Sequence, residues 1–157
     1  MKKYLIAAIF SMSLVQTFAQ KKLVPVTQSI VTALQLPAGS IQDKRALIEM
    51  SAKALLQMES KKAGTTISTT EVLYLPNSDV AGFNSDSLVN QLTTLGWNII
   101  PVAEDNKFVW LQKDNRSVLT YFSTGKKQMD LYFGETVSPP AIGNTMPPPA
   151  NSEQQQQ

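Results

Sequence analysis

No histidine and no cysteine occurs among the 157 residues, and that removes most of the familiar site chemistry. A Ser-His-Asp triad, a Cys-His pair, a thiolate or imidazole zinc site and a disulfide are all out of reach. Ser123-Thr-Gly-Lys126 has the S-x-x-K spacing of serine acyl enzymes. In those enzymes the serine opens a helix, whereas here the four residues fall between two apolar runs and read as a turn. The acids Glu71, Glu104, Asp105, Asp114, Asp130 and Glu135 are what is left for a glycosidase-type carboxylate pair. Most of them flank turns, where carboxylates are solvated, and no second acid stands at a defined distance from Asp130. The runs at 77–79 and 104–106 lack calcium-loop spacing, and no Gly-rich phosphate loop is present. The expectation is a non-enzyme, with no catalytic residues, no metal and no cofactor.

The more informative constellation is aromatic. After Gly96 come four short apolar runs, 97–102, 107–113, 117–123 and 128–133, separated by Glu104-Asp105-Asn106, Asp114-Asn115 and Gly125-Lys126. Such runs pair as hairpins, and hairpin register decides which side chains share a face. Two-residue loops at Asp114-Asn115 and Gly125-Lys126 set Leu111 opposite Val118, Trp110 opposite Leu119 and Phe122 opposite Met129. An even-length loop at Asp105-Asn106 places Ile100 and Val102 with Val109 and Leu111. One face then carries Ile100, Val102, Val109, Leu111, Val118, Phe122, Met129, Leu131 and Phe133, an aliphatic surface for helices to cover.

The other face carries Trp97, Ile99, Phe108, Trp110, Leu119, Tyr121 and Tyr132, with Asp130 beside them. A solvent-facing sheet ordinarily alternates to polar side chains, so this face calls for a covering arm, a second copy or a ligand. Trp97, Phe108, Trp110, Tyr121, Tyr132 and Asp130 are therefore the candidate binding residues. Large rigid rings with a polar edge suit a sugar, a peptide or a lipid as ligand, or a protein partner.

The elements that must position these rings are legible around them. A helix is expected over Ile41–Lys62, capped by Ser40 and stopped by Gly64, with Leu47, Met50, Ala54, Leu55 and Met58 as its apolar stripe. Thr65–Leu75 is rich in β-branched residues, ends at Pro76 and reads as a strand. A second helix starts near Ser85, buries Leu88, Leu92 and Leu95, and stops at Gly96. The fold class that follows is α+β: two helices packed on one face of a four- to five-stranded, mostly antiparallel sheet ending in a β-meander. That domain spans residues 40–135, after an arm or linker at 20–39 that reads equally as an edge strand or a short helix.

The ends of the chain carry a different message. Lys2 and Lys3, the apolar stretch from Tyr4 to Val15 and Thr17-Phe18-Ala19 form an export signal cleaved after Ala19. Its apolar core is shorter than the roughly 20 residues of a bilayer span, so no membrane span is expected and the product is periplasmic or secreted. Cleavage removes two of the 14 basic residues and none of the 12 acidic ones, so the mature chain is near neutral and gives no electrostatic basis for nucleic-acid binding. Residues 136–157, rich in Pro and Gln, read as a disordered tail. The functional expectation is an exported, non-catalytic binding or interaction module using the aromatic sheet face. The alternative is a structural subunit that dimerises, or docks on an envelope partner, through that face; a small carboxylate-dependent hydrolase ranks third.

Overall fold

A computed structural model of the chain describes residues 22–76, 85–102 and 107–141. The export signal, most of the Pro/Gln-rich tail, Gly82 and its loop, and Glu104-Asp105-Asn106 lie outside the described residues. The elements in order are β1 (Leu23–Pro25), β2 (Ile41–Asp43), α1 (Ala46–Lys62), β3 (Ile67–Pro76), α2 (Ser85–Thr94), β4 (Asn98–Pro101), β5 (Phe108–Lys113), β6 (Arg116–Thr124) and β7 (Gln128–Thr136). All strands join one antiparallel sheet of order β1-β2-β3-β7-β6-β5-β4. The α+β class is as expected, but the sheet has seven strands rather than four or five. The two additional strands come from the segment ahead of α1.

That segment changes where the first helix begins. Ile41 and Gln42 pair with Tyr74 and Leu73 as the strand next to β3, with β1 outside it at the sheet edge, and Ser40 donates its hydroxyl to the Pro37 carbonyl at 2.7 Å instead of capping a helix. The chain turns at Asp43, whose carboxylate accepts the Arg45 backbone N–H at 3.0 Å, and α1 starts at Ala46. The helix stops where expected: Gly64 sits at φ 71°, a conformation that costs glycine nothing.

The register of the meander decides which face each ring lies on. At Asp114-Asn115 it is as expected, with Leu111 opposite Val118 and Trp110 opposite Leu119. Between β6 and β7 the loop is longer, so Phe122 faces Leu131 and Thr124 faces Met129. A shift of two residues leaves every side chain on its expected side. Between β4 and β5 the pairing slips by one, setting Ile100 opposite Trp110 and Ile99 opposite Leu111. This odd shift turns β4 over, so that Ile100 and Val102 join the aromatic cluster while Trp97 and Ile99 join the aliphatic one.

Both faces are apolar, and each receives a helix. α2 lays Leu88 and Leu92 on the aliphatic face among Leu73, Leu111, Leu131 and Phe133, and Val31, Leu34 and Leu36 of the β1–β2 connection complete that core. α1 lies on the opposite face, with Leu56 against Ile67, Phe108, Trp110 and Leu119. The expected arrangement with both helices on one face is therefore corrected. Gly134 shows how closely α1 approaches: an added Cβ would come within 2.9 Å of Leu56 Cδ1 and 3.0 Å of Ile67 Cδ1.

Candidate functional site

Trp97 is not part of the aromatic face. It is 3% exposed on the other side of the sheet, where its indole N–H donates to the Thr32 carbonyl at 3.1 Å and the Arg116 guanidinium lies 5.5 Å above its ring centroid. Arg116 also donates to the Val31 carbonyl at 2.8 Å and to Glu135 at 2.7 Å. On the same side the buried Glu71 accepts hydrogen bonds from the Ser29 hydroxyl at 2.6 Å and from the Ile30 and Val31 N–H groups at 3.1 and 3.3 Å. Trp97, Arg116 and Glu71 thus hold residues 29–32 against the sheet. The connecting arm does cover a Trp, but on the aliphatic face.

The aromatic face divides into two halves. Trp110, 5% exposed, lies beneath α1 with Leu119, and it is a core residue. Along the strands from it, packed against the same cluster, Tyr132 on β7 stands opposite Tyr121 on β6, and Tyr121 opposite Phe108 on β5. Tyr121 and Tyr132 are partly exposed, while Phe108 is buried at the end of the row. Asp130, two positions before Tyr132, emerges on the same side and accepts the Gln128 amide at 2.8 Å.

Tyr74 belongs to this group, and sequence reasoning missed it. It lies opposite Asp130, is partly exposed, and its hydroxyl donates to Asp43. The residue was visible within an expected strand, but no short turn links β3 to β7, so nothing in the sequence tied Tyr74 to the meander's register. Asp43 itself has no exposed side-chain surface and is held bidentately by Arg45, with N···O distances from 2.6 to 3.1 Å.

The electrostatics of the row follow from this arrangement. Burial pushes the Asp43 carboxyl up, but the hydrogen bonds and charge of Arg45, with the Tyr74 hydroxyl, outweigh it and hold the group below its usual value. Burial, then the Asp130 charge, then Tyr74 and Tyr121, push the Tyr132 phenol up to about 12. Tyr74 is raised too, first by burial and then by Asp43 and Asp130. The Tyr74 and Tyr132 phenols are therefore neutral hydrogen-bonding groups at any physiological pH.

Among the described residues, Glu71, Asp114 and Glu135 do not converge on the row. Glu71 and Glu135 side chains serve the aliphatic side, while Asp130 faces the other way, so these carboxylates do not pair across a substrate. Asp114 lies in the β5–β6 turn with φ 53°, and Glu104 and Asp105 lie outside the described residues. Among the described residues, no group of three or more acids could hold a metal ion. None of their helices is long and apolar enough to cross a membrane.

A second surface faces away from the sheet. Most of the stripe expected to be α1's buried side points outward instead: Leu47, Met50 and Met58 are 74%, 67% and 72% exposed, with Ala54 exposed between them, while Leu55 is half-buried against the sheet cluster. Ala52, Leu56 and Ser60 form the buried side. α1 thus carries apolar residues on both sides, a pattern that belongs to helices covered twice.

Compared with protein-family models, curated proteins and solved structures, the chain matches none of them, and its site is interpreted from its own geometry.

Proposed function

We propose that the protein is an exported, non-catalytic binding module whose ligand seats on the row of Tyr74, Tyr121, Tyr132 and Asp130, with Phe108 closing one end. The observation that supports this most directly is the partial exposure of the row on the face that carries α1. Three partly exposed phenols and a carboxylate stand there on hydrogen-bonded strands of one sheet. A site on sheet strands is pre-organised, so little ordering entropy opposes binding. Export rests on the leader at 1–19, and N-terminal sequencing of the secreted or periplasmic product should begin at Gln20.

The test is a screen of oligosaccharides, peptides and lipids against the native protein and the Tyr121→Ala/Tyr132→Ala double variant. Hits on the native protein should weaken at least tenfold in the double variant. Its stability should fall by about 1–2 kcal/mol, as for partly exposed side chains. Hits that bind both proteins equally would remove the row as the site.

The outer stripe of α1 favours a second reading, a structural subunit that pairs with another copy of itself. Large side chains at Leu47, Met50 and Met58 flank small ones at Ser51 and Ala54, a pattern that interlocks with itself when two helices run antiparallel. Light scattering on the native protein and on Met50→Lys/Met58→Lys separates the two readings. A native dimer that the double variant converts to monomer would favour the subunit.

A further inference from the structure

We propose that the tyrosine row takes a ligand through a cationic nitrogen, an ammonium or guanidinium group, seated against the Asp130 carboxylate. The proposal rests on the reading above that the row is the ligand site, and it names the ligand's chemistry. Ring geometry is the first reason. The centroids of Phe108 and Tyr121 are 5.2 Å apart at 54°, and those of Tyr121 and Tyr132 are 5.2 Å apart at 33°. Rings lying edge to edge in one plane cannot come so close. These lean on one another, spend their faces on mutual contact, and so do not form the flat platform on which a sugar ring or a lipid chain would stack.

What the row offers outward is polar. Asp130 is partly exposed; its Oδ1 accepts the Gln128 amide at 2.8 Å, and among the described residues no lysine or arginine forms an ion pair with it. The neighbouring Asp43 is already matched by Arg45, so Asp130 is the carboxylate left over. Tyr74 and Ser123 stand opposite it on the two flanking strands, and Tyr132 lies two positions along its own strand. Phenol and hydroxyl oxygens around a carboxylate make an acceptor-rich cluster, and its complement is a group with several N–H donors and a positive charge. Burial first, and after it the carboxylate charges, Asp130 among them, raise the Tyr132 and Tyr74 phenols, which agrees with a negative field at this spot.

The experiment titrates the ¹⁵N-labelled protein with a tetra-arginine peptide, with spermidine and with a neutral chitin tetramer, observing the amides of residues 74, 121, 130 and 132. Either cation should shift those amides, and Asp130→Asn should weaken that binding at least tenfold without loss of fold. Added salt should weaken it as well, as for an exposed charge pair. Peptide binding without spermidine binding would assign the cation to a basic side chain of a partner, and the reverse to a free amine. Shifts produced by the chitin tetramer alone, or cation binding indifferent to Asp130→Asn, would overturn the cationic ligand while leaving the row as a site. No shift from either cation also overturns it. The Tyr121→Ala/Tyr132→Ala screen judges the row separately.

Discussion

Asp43 and Tyr132 sit a few side chains apart and tie stability to pH in opposite directions. Asp43 is held below its ordinary value of 3.8 in the fold. Its contribution is therefore present above that value and is lost as pH falls through the lower folded one. Tyr132 is raised from 10.0 to about 12, so its contribution is complete below 10 and is lost as pH climbs toward 12. Urea midpoints measured across pH should accordingly fall at both extremes. Asp43→Asn should flatten the acid limb and, by removing a charge that helps raise Tyr132 and Tyr74, also move the alkaline one, whereas Tyr132→Phe should flatten the alkaline limb and leave the acid limb unchanged. A profile with an unaltered alkaline limb in Tyr132→Phe would mean that another phenol is responsible. Trp110 belongs to a different class of residue: with 5% exposure beneath α1, its replacement by Ala should cost about 3–5 kcal/mol, as expected for a core ring and not for a ligand contact.

At the scale of elements, α1 makes a sharp prediction because its two sides are both apolar. Leu56→Ala should cost about 2–5 kcal/mol, since the side chain is fully buried against the sheet. Met58→Ala, only two positions on, should stay within about 0.5 kcal/mol in the monomer. Urea denaturation of the two variants checks this, and equal losses would mean that the outer side is covered. The same helix shows why some of the fold was legible and some was not. Its existence, its stop at Gly64 and the strand and helix that follow were written in local periodicity and turn residues. Which stripe faces inward was not, because the expected one of Leu47, Met50, Ala54, Leu55 and Met58 and the observed one of Ala52, Leu56 and Ser60 both recur at helical spacing. The candidate site divides in the same way. Tyr121, Tyr132 and Asp130 share a face as expected, because even-numbered register shifts preserve sides. Trp97 does not, because the pairing of β4 with β5 slips by one residue, and an odd shift exchanges the faces. Tyr74 depended on a pairing between strands more than fifty residues apart, beyond the reach of hairpin rules.

At the scale of the whole molecule, the sheet is covered on both faces, and the two Trp report on the two covers independently. Native emission should be blue-shifted and protected from an aqueous quencher. In a Trp110→Phe background only Trp97 remains, and Glu71→Gln, which weakens the hold on Ser29, Ile30 and Val31, should raise the quencher's access to it. That change should cost about 1–3 kcal/mol as buried donors lose their acceptor, and unchanged quenching would show that Trp97 and Arg116 retain the arm without Glu71. The sheet order has a further consequence, in time rather than in space. The last strand among the described residues, β7, lies between β3 and β6. Until it arrives, β1-β2-β3 and β4-β5-β6 are two separate half-sheets, each with an open edge of the kind that recruits other chains. A chain delivered from its N-terminus therefore cannot close its core early. It completes folding only when β7 joins the halves, through pairings of high sequence separation that make the step slow.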